Sequence, residues 1–186
     1  MLSGQFAMIA MGIIVVNCFL EDSLNWLLQV YAIEFLLIGF SIFLHRLGKH
    51  EVANYCMLLT SNLALYCFTS SESIGTGIFV YYIVITIGSF AVFSHKNRLH
   101  AIFFTSLAVV LFFVSYFVDF KVLPWRDYSP EKTILIATVN FLMAVAASGL
   151  AVSLLTSLNH ESARQLSESN KLLMKTNAEL DRFVYS

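Results

Sequence analysis

The chain has 186 residues and a formal net charge of −1; 58% of its residues are hydrophobic and only 12% are charged. This charged share is about half the usual value for soluble domains, which excludes an ordinary water-soluble fold and disfavours intrinsic disorder. The near-zero net charge also argues against a nucleic-acid partner, because proteins that bind nucleic acids carry a basic surface. The composition therefore predicts an integral membrane protein with the lipid bilayer as its main partner.

Six apolar stretches follow one another along the chain, each close to the roughly 20 residues that a helix needs to cross a bilayer. They lack the period-two alternation of barrel strands, so we predict an all-α, polytopic membrane fold. The first stretch has no basic n-region, so we expect it to be a transmembrane helix and not a cleaved signal peptide. The six predicted transmembrane helices are residues 3–20, 26–45, 52–69, 77–93, 101–118 and 133–158.

The basic residues predict the orientation of these helices. Arg46 and Lys49 lie in the second loop and Lys96 and Arg98 in the fourth. The charged residues of the first and third loops are all acidic. Cytoplasmic loops carry an excess of Lys and Arg, so the second and fourth loops are predicted to be cytoplasmic, together with both termini. The long fifth connection, residues 119–131, is then the outer segment that is long enough to act as a lid.

Glu34 is the one formally charged residue predicted at mid-span, where an acid costs on the order of 3 kcal/mol on insertion scales. Asn62, Asn140 and Thr86 are predicted at a similar depth, roughly 12 Å below the outer end of their spans. In one interpretation a protonated Glu34 donates a hydrogen bond to Asn62 or Asn140 and holds helices together. In the other, these four residues form a ligand or proton site that opens to the outside.

Histidines and cysteines give weaker signals. His45, His50, His95, His100 and His160 are all predicted at the cytoplasmic rim, without the spacing of a zinc motif, so no metal site is expected. We interpret them as residues near the lipid headgroups. The three cysteines do not form a disulfide framework. A bridge between Cys18 and Cys67 is conceivable, since both lie near the outer ends of their helices, but packing as small apolar residues is favoured.

The tail after the sixth apolar stretch is polar and free of Gly and Pro, which predicts a helix that continues out of the membrane. Its apolar residues repeat every seven positions, which is typical of a coiled coil. Leu at d and Asn at a favour a parallel dimer of limited stability, so we expect a homodimer. The alternative is a solvated amphipathic helix without a partner. The predicted a positions are Ala163, Asn170, Asn177 and Val184, and the d positions are Leu166, Leu173 and Leu180.

The last ten residues contain an N-x-E-L-x-x-F-x-x-S pattern formed by Asn177, Glu179, Leu180, Phe183 and Ser186. This pattern resembles the start of the dimerisation and phosphoacceptor helix of sensor histidine kinases, where it leads into the H-box with its phosphorylated His. The chain contains neither that His nor an ATP-binding domain, so no catalytic residue is predicted in it. The resemblance implies the sensor and linker part of a larger, ATP-dependent protein histidine kinase.

The resemblance also implies that residues 1–158 form a six-helix transmembrane sensor domain and residues 159–186 a cytoplasmic signalling coiled coil. ATP and Mg are expected for the parent kinase and no cofactor for this fragment, with a response regulator as the partner of the parent. The expected location is the bacterial inner membrane. The main alternative is a small six-helix transporter or channel with a coiled-coil oligomerisation tail. A haem or retinal protein is disfavoured because no His or Lys is predicted at mid-span.

Overall fold

The computed structural model describes residues 2–20, 26–93, 97–118 and 121–184. The predicted loop residues His95 and Lys96, and Ser186 of the kinase-like pattern, lie outside them. Within the described residues the chain forms six α-helices, which confirms the all-α prediction. The helices are α1 (Leu2–Leu20), α2 (Trp26–Arg46), α3 (His50–Thr69), α4 (Tyr81–Val92), α5 (Arg98–Phe117) and α6 (Pro130–Val184).

The chain divides into two compact units, Met1–Ala151 and Val152–Ser186. In the first unit α3 is the central helix, because it packs against α1, α2, α4 and α5. The second unit is the C-terminal part of α6, and its described side chains are almost all exposed. The helical secondary structure of α6 therefore begins in one unit and ends in the other.

Three helices of the described chain, α2, α5 and α6, are long and apolar enough to cross a membrane. The apolar stretches Ala7–Val16 in α1 and Ile78–Val92 around α4 are shorter. Helix α3 has 20 residues, but it contains polar residues such as Glu51, Asn54 and Asn62. A multi-pass membrane protein is therefore consistent with the length and composition of these helices.

The predicted fourth span, residues 77–93, corresponds to the apolar stretch Ile78–Val92, but it is not one continuous α-helix. Gly77 has a φ of 68°, in the left-handed region that glycine adopts without steric cost. It ends one single-turn 3-10 helix, Ile74–Thr76, and precedes a second, Ile78–Val80. Helix α4 consequently begins only at Tyr81 and has 12 residues, a rise of about 18 Å.

A glycine also forms the turn between α2 and α3. Gly48 has a φ of 76°, and the N–H groups of Gly48 and Lys49 donate to the carbonyls of His45 and Leu44. This is a Schellman motif, which satisfies carbonyls at the end of a helix and reverses the chain. The buried Ser41 side chain then donates to the Ala53 carbonyl at 2.8 Å, which ties the two antiparallel helices together.

One face of α6 is buried in the first unit, at positions that recur every three or four residues. This spacing is that of a single helix face. Three of its five members are alanine, and small residues let helix backbones approach closely. At the neighbouring position Ala137, the Cα lies 3.6 Å from where a Cβ on Gly77 would be, so α6 also runs close to the α3–α4 connection. The buried residues are Ile136, Asn140, Ala144, Ala147 and Ala151.

A buried ion pair joins the two longer connections of the first unit. The guanidinium of Arg126 in the α5–α6 connection pairs with the carboxylate of Glu72 in the α3–α4 connection, and their side chains are only 10% and 4% exposed. The Arg126 N–H donates to the Ser71 carbonyl at 2.9 Å, and Arg126 also lies 5.7 Å from the centre of the Phe68 ring. The two connections are thus held at one end of the unit by charge, backbone and cation–π contacts.

We expect Arg126→Gln to destabilise the protein by about 3–5 kcal/mol, because it leaves the Glu72 carboxylate buried without its cation. Thermal unfolding in detergent, followed by circular dichroism, measures the effect. The matched control is Arg164→Gln, which breaks the exposed Arg164–Glu168 pair and is expected to change the melting temperature little. Equal melting temperatures for the two variants would contradict a structural role for the buried pair.

Candidate functional site: a polar connection beside an apolar cavity

The structure does not bring the four predicted polar residues together as one hydrogen-bonded layer. Within the described residues no hydrogen bond joins Glu34 to Asn62 or Asn140. The Asn62 side chain instead donates to the Leu58 carbonyl of its own helix at 2.8 Å. Thr86 is half-buried on α4. Asn140 is the member of the set that connects different elements.

The Asn140 side chain is 1% exposed and makes two hydrogen bonds across elements. Its Nδ2 donates to the Thr76 carbonyl at 2.9 Å, and its Oδ1 accepts from the Tyr81 hydroxyl at 3.3 Å. One side chain of α6 is therefore bonded both to the α3–α4 connection and to the first residue of α4. A hydrogen-bonding role between helices was predicted for Asn140, but its partners Thr76 and Tyr81 were missed.

The left-handed glycine explains why the Thr76 carbonyl is available to Asn140. In a continuous α-helix this carbonyl would accept from the N–H of residue 80. The Val80 N–H donates instead to Gly77, at 3.1 Å, because the chain turns there. A buried carbonyl without a partner costs about 1–3 kcal/mol, and the Asn140 amide removes that cost.

A cavity of about 120 Å³ lies among α1, α2, α3 and α4. Most of its lining is aliphatic, and it includes Ile9, Ile13, Leu58, Leu65, Val84 and Ile85. The polar residues of the described lining are Glu34, Ser61, Tyr31 and Tyr81. Glu34 thus faces an apolar space and is not buried among polar partners.

Tyr81 belongs to both features. Its ring lines the cavity, and its hydroxyl donates to Asn140. A molecule in the cavity would contact a residue that is bonded directly to α6. Nothing in a single sequence pairs Tyr81 with Asn140.

A second cavity, of about 360 Å³, lies next to the ion pair, between the α3–α4 connection and the end of α5. Glu72, Lys121 and Trp125 are among its lining residues. The Lys121 ammonium lies 4.6 Å from the centre of the Trp125 ring, and the Trp125 N–H donates to Asp127 at 2.7 Å. Part of the predicted lid thus lines this cavity, whereas residues 119 and 120 lie outside the described part.

The described rim histidines of the first unit pack against different neighbours. The Nδ1 atoms of His45 and His50 lie 3.0 Å apart across the α2–α3 turn, and His100 packs edge-on against Tyr55. His160 is exposed in the second unit. Within the described residues no group of three or more His, Cys, Asp or Glu is placed to hold a metal ion. Cys18, Cys56 and Cys67 are free thiols.

Comparison with models of known protein families finds none that matches the chain, and comparison with curated proteins finds no match either.

We expect Asn140→Ala to destabilise the protein by about 1–3 kcal/mol, because the Thr76 carbonyl then stays buried without a donor. Thr138→Ala is the matched control: Thr138 is exposed on the same helix and its hydroxyl bonds only the carbonyl one turn back. Chemical unfolding in detergent compares the two variants. A larger loss for Thr138→Ala than for Asn140→Ala would contradict the assigned role of Asn140.

Proposed function

We propose that this chain is the membrane sensory and signal-transducing module of a bacterial sensor histidine kinase. In this proposal six transmembrane helices receive a stimulus, and the sixth passes it to a dimeric cytoplasmic coiled coil. The observation that carries the proposal is α6, a helix that includes both an apolar segment and the polar heptads of the tail. In this proposal α6 carries the signal, because it is part of both the receiving and the transmitting segment.

The surface of the first unit supports its place in a membrane. Large apolar side chains are exposed on α2, α5 and α6, among them Leu36 at 69%, Phe117 at 77% and Ile134 at 67%. Monomeric soluble proteins rarely expose extended apolar patches, whereas lipid-facing helices require them. We propose that six apolar segments cross the inner membrane, the fourth of them including the 3-10 turns before α4, with both termini in the cytoplasm as the basic loop residues indicate.

The tail has the pattern expected for a homodimer. Leu166, Leu173 and Leu180, at successive d positions, are each about three-fifths exposed in the single chain. A second copy would cover this row of leucines, with Asn170 and Asn177 setting the register. Val184 would complete the a positions; its side chain is not among those described.

The link to a kinase rests on the resemblance of the last ten residues to the segment before an H-box. In the parent protein the coil would continue into the phosphoacceptor helix, followed by a domain that binds ATP and Mg. That kinase would transfer the phosphoryl group to a response regulator. Within this chain, the coil residues determine only how the two phosphoacceptor helices are placed relative to each other.

Disulfide cross-linking in native membranes tests the parallel coil. In a background with Cys18, Cys56 and Cys67 replaced by Ser, we expect Leu173→Cys to form covalent dimers readily on oxidation, because d positions face each other across the axis. Lys175→Cys lies two residues away at an outward-facing f position and is expected to cross-link poorly. Equal yields from the two variants, read on non-reducing gels, would argue against this coil.

The reading frame of the parent gene tests the kinase itself. We expect the codons after Ser186 to encode a His-containing H-box and then an ATP-binding domain, and the purified parent protein to incorporate phosphate from ATP onto that His. Replacement of the His by Ala is expected to abolish the incorporation. A frame that continues without such a His would refute the kinase proposal and favour a transporter or channel, which liposome flux assays would detect.

A further inference from the structure

The size of the cavity among α1–α4 limits what it can bind. At about 120 Å³ it is somewhat smaller than an engineered protein cavity of roughly 150 Å³ that stays dry and binds benzene. Its mainly aliphatic lining likewise favours an apolar occupant over ordered water. The occupant is therefore a compact hydrocarbon of about the size of one six-membered ring.

The charge of the lining selects the polar group of that occupant. Of the described residues that line the cavity, Glu34 alone has a carboxylate, and none has a basic side chain. A carboxylate in an apolar site attracts a cation strongly, because the surrounding dielectric screens it weakly. A hydrogen-bonded ammonium is the cationic group that best satisfies a single carboxylate in so small a space.

The aromatic residues of the cavity add to this preference. Tyr31 and Tyr81 are among the residues that line the cavity together with Glu34. Aromatic faces attract ammonium groups through their quadrupole, and proteins use this attraction to recognise amines. An uncharged molecule of the same shape as the amine gains only dispersion contacts from these rings.

We propose that this cavity is a binding site for a small hydrophobic monoamine, with its ammonium on Glu34 and its hydrocarbon part among the aliphatic side chains. The amine would be the stimulus of the sensory module, and this role rests on the function proposed above. The bound hydrocarbon contacts the Tyr81 ring, whose hydroxyl bonds Asn140 of α6. Occupancy of the cavity thereby acts on the helix that leads to the coil.

Saturation-transfer NMR with the full chain in nanodiscs tests the binding directly. Cyclohexylamine and cyclohexanol are the probes, because they have the same shape and differ in charge at neutral pH. We expect cyclohexylamine to bind at least about tenfold more tightly than cyclohexanol. Glu34→Gln is expected to remove this difference, whereas Glu161→Gln, which alters an exposed acid of the tail, is expected to retain it.

Two results would overturn the amine site: equal affinities for the two probes in the unaltered protein, or an undiminished preference for the amine in Glu34→Gln. The cross-linking yield of Leu173→Cys with and without cyclohexylamine is a separate readout. A change in yield supports the amine as the stimulus. Specific binding without any change in yield would contradict the proposed signalling role and leave the amine site itself supported.

Discussion

The hydrogen bond between Asn140 and the Thr76 carbonyl is the interaction on which the arrangement of the first unit depends. Gly77 turns the chain and removes the helical partner of this carbonyl, so a donor has to come from another element. The amide that supplies it also accepts from Tyr81, which fixes the start of α4 against α6. Polar contacts of this kind are strong in a low-dielectric interior and costly when incomplete. They therefore specify one packing of apolar helices that would otherwise slide past each other.

The helices could be predicted from the sequence because each is an apolar run bounded by polar or basic residues. Five helices begin within about three residues of the prediction. The start of α4 could not be predicted, since Gly77 is followed by an unbroken apolar run and only its backbone conformation shows the turn. The pairing of Glu72 with Arg126 could not be predicted from the sequence either. Both residues were placed in outer connections, but no rule of spacing relates two loops that are separated by two helices.

The candidate site, too, could be predicted from the sequence only in part. Glu34 and Asn140 were identified because polar groups are expensive at mid-span. Their bonding partners could not be predicted. Counting residues from the end of a span gives the height of a residue along its helix, but not the direction in which its side chain points. Asn62 illustrates the difference: it was predicted at the depth of Glu34, and its amide bonds the carbonyl of Leu58 in its own helix. Tyr81 was the missing residue, since it contacts both the cavity of Glu34 and the amide of Asn140.

The position of Asn140 along α6 has a consequence for how this helix tolerates insertions. Asn140 lies ten residues after Pro130, where α6 begins. One inserted residue between them would rotate Asn140 by about 100° and shift it by about 1.5 Å relative to the preceding connection, which the Arg126 pair holds in place. The amide would then leave Thr76, and the alanines on the same face would leave their neighbours. The length of this ten-residue segment is thus fixed by helical phase, whereas its exposed residues remain free to vary.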